Sequence, residues 1–310
     1  MSRKIVITGA AGLIGQNLIT RLEQRNFGEL VAIDKHPTNT EILRRLHPNV
    51  RVIHGDLSEP GPWQDEFVGC THLMNGHAQI GGIYTADYTR NNVTATERVI
   101  EAALRNNVSY AVNISSSAVT SAAHDDYTET KKAQEKVVRD SGIKQVVLRP
   151  ALMFGWFDRK HIGWLARFMQ RSAIFPVPGS GRYLRQPLYA GDFCEIIISS
   201  MEKEITGTYP ITGTEKIDYI DLMRAVNKVI GSPSSVVRIP YSVFWTLLKV
   251  YAVFDKNPSF TTRQLEALVT PDVFELIDWP GIFGVHPTPL QDALNITFCD
   301  PKYSKIALDF

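Results

Sequence analysis

The chain contains few of the residues that mark disulfide-bonded or metal-binding proteins. Its three cysteines, Cys70, Cys194 and Cys299, are odd in number and far apart in the sequence. This pattern argues against a disulfide framework and fits a reducing compartment. His72 and His77 lie close to Cys70, but their spacing is not typical of a metal site, so we expect no bound metal.

A net charge of one sign and a membrane-spanning stretch are also missing. Lys and Arg number 33 and Asp and Glu number 32, a balance that gives no general attraction for nucleic acid or an anionic membrane. The most apolar window, Tyr241–Phe254, has only 14 residues, contains Lys249 and is too short to cross a bilayer. The apolar run near the N-terminus is short and broken by glycines, unlike a signal peptide. We therefore expect a cytoplasmic protein without a nucleic-acid partner or a transmembrane segment.

Short β-branched runs alternate with helical patterns through the first half of the chain. The runs are continuously apolar, as expected for strands that are covered on both faces. Such alternation predicts an α/β fold with a parallel, doubly wound sheet. The predicted strands cover residues 4–8, 30–34, 50–54, 71–75, 110–115 and 145–149.

The character of the sequence changes after Pro150, where proline, glycine and aromatic residues become denser. We predict a first domain over residues 1–150 and a smaller, less regular domain over residues 151–310. One segment of the second part, near residues 189–201, is expected to return to the first domain.

The stretch TGAAGLIG (Thr8–Gly15) follows the first predicted strand and opens a helix. Gly9 permits a tight turn, Gly12 lets the backbone approach a pyrophosphate, and Gly15 permits close helix–strand packing. Phosphates would lie at the helix N-terminus, where free N–H groups and the helix dipole favour anions. The stretch therefore predicts a dinucleotide-binding loop.

Asp34 ends the second predicted strand, 19 residues after Gly15. A carboxylate at this place would accept hydrogen bonds from the adenosine ribose and repel a 2′-phosphate, which favours NAD over NADP. Lys35 and His36 follow directly and could soften that repulsion, so NADP stays possible.

Tyr127 and Lys131 are four residues apart and would share one face of a helix. This spacing alone does not separate an acid–base pair from a solvated helix surface.

The motifs and their order resemble the extended short-chain dehydrogenase/reductase superfamily, and within it the NAD-dependent epimerase/dehydratase family. The motifs are TGAAGLIG, GDL, NNVTATERVIEAALRNNV, ISSSAV, YTETK, LRPALMFG, GSGRYLRQPLYAGDF and FGVHPTPLQDAL, which together span nearly the whole chain. The resemblance implies a Rossmann-type doubly wound parallel sheet with a smaller α/β substrate-binding domain. It also implies an NAD(P)-dependent oxidoreductase or epimerase.

The family pattern makes Tyr127 the catalytic acid–base, Lys131 its partner on the nicotinamide ribose, and Ser116 the residue that holds the substrate oxygen. Ser116 is chosen among the three serines 115–117 because it lies three residues before Val119, which matches the family's Ser-x-x-Val spacing. A free tyrosine titrates near ~10, so a nearby ammonium and the positive nicotinamide would have to lower its pKa.

The resemblance implies further contacts with both ligands. Cofactor contacts are expected from Gly9, Gly12, Leu13, Ile14, Gly15, Asp34, Asp56, Leu57, Asn92, Tyr127, Lys131 and Pro150. Substrate contacts are expected from Ser116, Ser117, Arg182 and Arg185, the arginines reaching a diphosphate. A homodimer formed through the helices after the fourth and fifth strands is expected by analogy.

The substrate stays open between two classes. A nucleotide-linked sugar fits Arg185, and a 4-epimerase or 4-ketoreductase fits better than a 4,6-dehydratase, because Ser117 and Ala118 replace the family's Asp-Glu pair. A steroid or lipid alcohol fits Leu152, which replaces a usual Asn, and the apolar window Tyr241–Phe254. A third reading, a dinucleotide-binding scaffold without turnover, is disfavoured because the Ser-Tyr-Lys set is retained.

Overall fold

The computed structural model describes residues 3–82, 84–121, 125–254, 262–270 and 273–309. The strands are β1 (Lys4–Thr8), β2 (Glu29–Asp34), β3 (Arg51–His54), β4 (His72–Asn75), β5 (Tyr110–Ile114), β6 (Gln145–Pro150), β7 (Met153–Phe154), β8 (Ile174–Pro178), β9 (Leu184–Arg185), β10 (Leu188–Tyr189), β11 (Gly207–Ile211), β12 (Ile217–Asp218) and β13 (Ser235–Ile239). Each strand predicted from the sequence is present within one or two residues of its predicted bounds.

Helices alternate with these strands. The α-helices are α1 (Leu13–Gln24), α2 (Pro37–Leu46), α3 (Thr85–Tyr88), α4 (Ala95–Arg105), α5 (Asp126–Asp140), α6 (Ile162–Arg171), α7 (Ala190–Lys203), α8 (Tyr219–Ile230), α9 (Tyr241–Phe254), α10 (Thr262–Val269), α11 (Trp279–Phe283) and α12 (Leu290–Cys299). Short 3-10 turns cover Pro62–Phe67 and Ser117–Thr120, and Thr89–Thr94 is π-helical. None of the helices in the described ranges is long and apolar enough to cross a membrane.

The central sheet has seven strands in the described chain, in the order β11-β6-β5-β4-β1-β2-β3, and every neighbouring pair is parallel. The chain runs outward from β1 to β3 and then crosses back to β4, so the direction of winding reverses between β1 and β4. In open α/β sheets, ligands bind outside the carboxyl ends of the strands at such a reversal. Thr8 and Asn75, which are paired in register, mark that place.

Helices cover both faces of this sheet. On one face, α1 and α7 pack against each other and bury Ile5 and Ile7 of β1. On the other face, α4 and α5 pack together over Val6, which lies between Ile5 and Ile7 in β1. Successive side chains of a strand point to opposite faces, so burial on both sides requires a continuously apolar strand, as the sequence has.

The seventh strand, β11, was not predicted from the sequence. Its five residues include Gly207 and Pro210, which normally interrupt a strand. Because β11 lies at the edge of the sheet and pairs only with β6, the missing N–H of Pro210 is tolerated there. Together with α7, this strand places residues 190–211 against the N-terminal sheet.

The remaining elements form a second core. Helices α6, α8 and α12 pack around β8, with Met169, Val177 and Met223 fully buried. The C-terminal stretch lies over α2, where Asn39 and Asp309 exchange two hydrogen bonds of 2.9 and 3.0 Å.

Candidate active site

The glycine loop between β1 and α1 has the backbone geometry that its sequence predicted. Gly9 has φ +65°, and a Cβ there would lie 2.8 Å from the backbone of Gly76. A Cβ on Gly15 would lie 2.4 Å from the carbonyl oxygen of Ala10, so only glycine allows α1 to approach the strand this closely. Leu13 and Ile14 begin the helix.

The N-terminus of α1 fits the pyrophosphate of a dinucleotide. Gly12 is its N-cap, and no side chain in the described chain caps the helix there. The first N–H groups of the helix therefore point to a space that a phosphate can occupy. A Cβ on Gly12 would also lie 3.3 Å from the carbonyl oxygen of Gly9, which would crowd the loop.

Asp34, at the end of β2, is held by two backbone amides. Its carboxylate accepts hydrogen bonds of 2.9 Å from the N–H groups of Ala11 and His36. The two side chains that follow it have other partners: Lys35 donates to Asn91 over 2.6 Å, and the ring of His36 caps α2 by accepting from the N–H of Asn39. The carboxylate thus lies beside the glycine loop, where an adenosine ribose would be, while the adjacent basic side chains have other partners.

Asp56 and Leu57 follow β3, next to the same edge of the sheet. Asp56 accepts from the hydroxyl of Ser58 over 2.6 Å and from Arg90 over 2.9 Å. Burial raises the pKa of Asp56, but the hydrogen bonds from Ser58 and the charges of Lys35 and Arg90 together outweigh it, so the net pKa is lowered and the group stays ionised. Leu57 is buried and supplies an apolar wall.

Asn92, in the π-helical segment, is fully buried and connects three parts of the site. Its side chain accepts from the N–H of Gln79 over 2.6 Å and donates to the hydroxyl of Thr130 over 3.0 Å. It therefore fixes the loop after β4 to the beginning of α5, the helix that carries Tyr127. This is a positioning contact that the resemblance did not specify.

Tyr127 and Lys131 do share one face of α5. Asp125 caps the helix by accepting from the N–H of Thr128 over 2.8 Å. Tyr127 lies in the first turn, close enough to the hydroxyl of Ser116 for that hydroxyl to lower the pKa of the phenol, so the predicted tyrosine and serine are neighbours.

The pKa of Tyr127 differs from the expectation. Burial raises it, the hydrogen bond from Ser116 lowers it, and the charge of Asp125 raises it again, with a net increase. The expected decrease required a nearby ammonium. In the structure, the ammonium of Lys131 is instead hydrogen-bonded to other groups, so the phenol of the protein alone keeps its proton.

Lys131 is buried, with 1% of its surface exposed. Its Nζ donates to the carbonyl oxygen of Ile114, at the end of β5, over 2.8 Å and to Oε1 of Gln134. Burial lowers the pKa of Lys131 to about 7, and the charge of Glu135 opposes this. The residue is therefore not part of a solvated helix face, which answers the question left by its spacing.

Residues that the sequence analysis did not assign surround this lysine. Gln134 donates to the hydroxyl of Thr96 over 2.8 Å, and Thr96 is hydrogen-bonded to Nε2 of His77 over 3.0 Å. Burial, followed by the charge of Lys131, lowers the pKa of His77 to about 3, so its ring is neutral. Gln134 could have been noticed, being three residues from Lys131 on one helix, but no local pattern links it to residues 38 and 57 positions away.

The choice of Ser116 among its neighbours gains support from Ser115. The hydroxyl of Ser115 donates to Glu135, which also forms a two-point ion pair with Arg149 over 2.7 and 2.8 Å. Ser115 thus belongs to a structural ion-pair cluster. Ser117 opens the 3-10 turn for which Ser116 is the N-cap, and neither of these two is fully buried.

Arg185, in β9, has a different environment from the one expected for a phosphate ligand. Its guanidinium donates to the carbonyl oxygens of Leu184 and Thr270 over 2.8 and 2.9 Å and to that of Leu268. It also stacks over the ring of Tyr183 at 5.1 Å. Arg185 is 5% exposed and connects β9 to the end of α10.

Arg182 is on the surface, with 71% of its side chain exposed, 3.8 Å from the carboxylate of Asp218. Pro150, the last residue of β6, is buried and pairs with Ile211 of β11. The structure therefore places Ser116 beside Tyr127 and buries Lys131 on the same helix. It gives the two arginines separate surroundings.

Comparisons with known proteins agree with this geometry. The sequence profile of the NAD dependent epimerase/dehydratase family matches residues 5–211. A ceramide reductase from Caulobacter vibrioides is 23% identical over 274 residues, which cover 88% of this chain and 81% of that protein. A 2-alkyl-3-oxoalkanoate reductase from Stenotrophomonas maltophilia is 23% identical, covering 92% of this chain and 94% of that protein.

Solved structures share the fold. The UDP-glucuronic acid 4-epimerase from Bacillus cereus, in complex with NAD, has a TM-score of 0.75 at 19% identity. The alignment covers 96% of this chain and 97% of that one. This likeness confirms the predicted doubly wound parallel fold.

Proposed function

Because the chain belongs to the NAD-dependent epimerase/dehydratase family, we propose that it is an NAD(P)-dependent oxidoreductase or epimerase acting on a hydroxyl or keto carbon. The observation that carries this proposal is the contact between Ser116 and Tyr127 above a buried Lys131. Enzymes place titratable groups in such desolvated clusters when a proton must move.

The cofactor site is proposed to run along the carboxyl edge of the sheet. The N-terminus of α1 would hold the pyrophosphate, Asp34 the adenosine ribose, and Asp56 and Leu57 the adenine. Lys131 would donate to the nicotinamide ribose, with Asn92 and Pro150 lining the same end. NAD is the proposed cofactor because the carboxylate of Asp34 repels a 2′-phosphate.

The protonation of Tyr127 favours reduction of a carbonyl group. The cofactor, when reduced and bound, supplies a hydride to the carbonyl carbon. Tyr127 keeps its proton because burial raises its pKa, so the phenol can donate that proton to the carbonyl oxygen. Ser116 would hold the same oxygen by a hydrogen bond. In the opposite direction, Tyr127 would accept the proton of a hydroxyl group.

The first candidate substrate is a nucleotide-linked sugar, which would undergo 4-epimerisation or 4-ketoreduction rather than 4,6-dehydration. The proposal is supported by the fold shared with a UDP-glucuronic acid 4-epimerase. In this proposal Ser116 and Ser117 contact the sugar and Arg182 reaches the diphosphate. Arg185 would join it only by exchanging its main-chain carbonyl partners for phosphate oxygens.

The second candidate substrate is a ketone or alcohol with a long apolar part, such as a lipid or a steroid. Helix α9 favours it, because five of its apolar side chains are 37–57% exposed: Val243, Trp245, Leu247, Val250 and Tyr251. An apolar helix surface of this kind suits an apolar ligand. The named activities of the ceramide reductase and the 2-alkyl-3-oxoalkanoate reductase support the same class.

One experiment separates the two candidates. The purified enzyme is mixed with NADH and either UDP-4-keto sugars or 3-oxo fatty acids of increasing chain length, and NADH oxidation is followed. Because 4-epimerisation consumes no net NADH, UDP-sugars are also incubated with the enzyme and NAD, and their 4-epimers are separated by chromatography. Turnover of the UDP-sugars alone would support the first candidate. Turnover that rises with chain length, and falls when Leu247 and Val250 are both changed to Ser, would support the second.

Tyr127→Phe is the control for both assays. If this variant oxidises NADH as fast as the wild type, the proposed catalytic role of Tyr127 is wrong whichever substrate is turned over.

A cytoplasmic location and a homodimer formed through α4 and α5 are part of the proposal, and size measurement in solution tests the dimer.

A further inference from the structure

Lys131 is the first member of a series of hydrogen-bonded polar side chains that ends at the glycine loop. Its Nζ donates to Oε1 of Gln134. Gln134 donates from Nε2 to the hydroxyl of Thr96 over 2.8 Å, and Thr96 contacts Nε2 of His77 over 3.0 Å. Nδ1 of His77 contacts the hydroxyl of Thr8 over 2.9 Å. All five residues are buried.

The hydrogen bonds that start at the charged Lys131 have one consistent direction. An ammonium group only donates, so Oε1 of Gln134 must face it and Nε2 must face Thr96. Thr96 accepts from Gln134, and in this arrangement its hydroxyl donates to Nε2 of His77. A neutral imidazole that accepts at Nε2 carries its proton on Nδ1, and Nδ1 therefore donates to Thr8.

The end of the chain is fixed as well. The hydroxyl of Thr8 accepts from the N–H of Gly76 over 3.1 Å and lies 3.3 Å from the side-chain oxygen of Asn75. Thr8 directly precedes Gly9, the turn of the glycine loop, and Gly76 contacts that turn. The orientation of Gln134 is thus linked, through Thr96, His77 and Thr8, to the backbone N–H of Gly76, which lies where β1 and β4 meet.

We propose that Gln134 is the positioning residue for Lys131, and that Thr96 and His77 fix the orientation in which Gln134 presents its oxygen to the ammonium group. The assignment rests on the function proposed above, in which Lys131 binds the nicotinamide ribose. An ammonium has three N–H donors, and Ile114 and Gln134 accept from two of them. The third is the donor that we assign to the ribose.

Other ionisable groups around Lys131 lie on three elements. Tyr127 and Glu135 are on α5, His77 is after β4, and Arg149 on β6 is ion-paired with Glu135. Glu135 favours the charged lysine, and its own charge is shared with Arg149. His77 is neutral throughout the range in which Lys131 titrates. A change of charge at Gln134 therefore acts on Lys131 in a defined direction.

The test measures the dissociation constant of NADH by fluorescence across a range of about pH 5.5 to 9.5. The ammonium form of Lys131 donates to the ribose, so NADH should bind more weakly as the pH rises through the pKa of this lysine. Gln134→Leu removes an acceptor from the ammonium and should move the midpoint to lower pH. Gln134→Glu adds a carboxylate and should move it to higher pH, each by about one pH unit.

Opposite shifts at one position would support the positioning role, because a purely structural residue would not reverse the sign. If both Gln134 variants keep the wild-type midpoint, or if both midpoints shift in the same direction, the positioning role is overturned. Gln145→Leu is the matched control: Gln145 is hydrogen-bonded to Val138 and Asn113 at the start of β6, and its loss should leave the midpoint unchanged. If Gln134→Leu does not fold, Gln134→Glu alone still decides, because its midpoint must rise.

Lys131→Met separates this inference from the function it rests on. If Lys131→Met keeps the wild-type affinity and pH dependence, Lys131 does not bind the cofactor and the proposed function loses that contact. If Lys131→Met abolishes the pH dependence while both Gln134 variants keep the wild-type midpoint, only the positioning role of Gln134 is overturned.

Discussion

Two side chains of α5, only four residues apart, have very different surroundings. Tyr127 is in the first turn, next to Ser116, and keeps some exposed surface. Lys131 is one turn deeper and 1% exposed, because the helix there lies against the end of β5. The spacing in the sequence predicts the shared face, and the packing of α5 on the sheet decides which residue is desolvated.

Tyr127→Phe should abolish turnover while leaving the fold and the cofactor site intact. The change removes one oxygen and almost no volume. We expect a fall of at least about 100-fold in kcat, the usual scale for the loss of a general acid–base. NADH affinity and the melting temperature should stay close to wild type.

The matched control for this prediction is Tyr209→Phe. The hydroxyl of Tyr209 donates to the carbonyl oxygen of Thr206 at the surface, away from the cleft. The control should keep full activity, and a similar loss in both variants would contradict a specific role for Tyr127.

Asp34 should make the enzyme prefer NADH to NADPH. Its carboxylate is fixed by the N–H groups of Ala11 and His36 and so cannot turn away from a 2′-phosphate. Asp34→Asn removes the charge and keeps an oxygen that can accept, and it should narrow the preference by about tenfold, equivalent to 1.4 kcal/mol. Calorimetric titration of both cofactors measures this, and tighter binding of NADPH by the wild type would contradict the role of Asp34.

At the scale of elements, the connection between β9 and α10 depends on one arginine. Arg185 donates to carbonyl oxygens of both elements and stacks on Tyr183. A buried guanidinium that satisfies several carbonyl oxygens contributes to stability, and its removal leaves those acceptors without a donor. The same motif in the sequence also contains Arg182, which is at the surface, so the pair forms a natural comparison.

Arg185→Ala should destabilise the protein by about 3 kcal/mol, because it removes a buried charged donor and leaves main-chain oxygens unsatisfied. Arg182→Ala should change stability by less than about 1 kcal/mol, the value for an exposed ion pair. Thermal melting of both variants tests this. If Arg185→Ala instead melts like the wild type and raises KM for a UDP-sugar, its role is to hold the diphosphate.

At the scale of the whole molecule, the site lies where the winding of the sheet reverses between β1 and β4. That reversal brings the glycine loop, the loop after β4 and the start of α5 to one edge. It also encloses Lys131 completely, and the resulting desolvation lowers the pKa of Lys131 to about 7. A charged lysine held in this place reduces the stability of the fold at neutral and lower pH.

Lys131→Met should therefore stabilise the protein, and more at pH 6 than at pH 9. The pKa of Lys131 is about 7 in the folded protein and 10.5 in the unfolded chain. Between these two pKa values the unfolded chain binds more protons than the folded protein, so wild-type stability rises with pH from about 7 upward. The advantage of the variant should shrink by about 2–3 kcal/mol between the two pH values. Denaturant unfolding at both values measures it, and a constant advantage would contradict the low pKa.

Several features of the fold and site could be read from local patterns. The predicted strands and the glycine turn each depend on residues close together in the sequence. The family resemblance, based on motif order, is confirmed by the match over residues 5–211. The strand β11 was not predicted, because Gly207 and Pro210 are untypical of a strand. They are tolerated here because β11 lies at the edge of the sheet.

The sequence by itself determined six of the seven strands of the sheet, the cofactor loop and the spacing of Tyr127 and Lys131, because backbone conformation and helix periodicity are local properties. The tertiary structure alone decided that Lys131 is buried against Gln134, that Thr96 and His77 orient that glutamine, and that Arg185 is bound to the carbonyl oxygens of α10. These contacts join residues many positions apart. Desolvation, which sets their charge states, exists only after the helices have packed on the sheet.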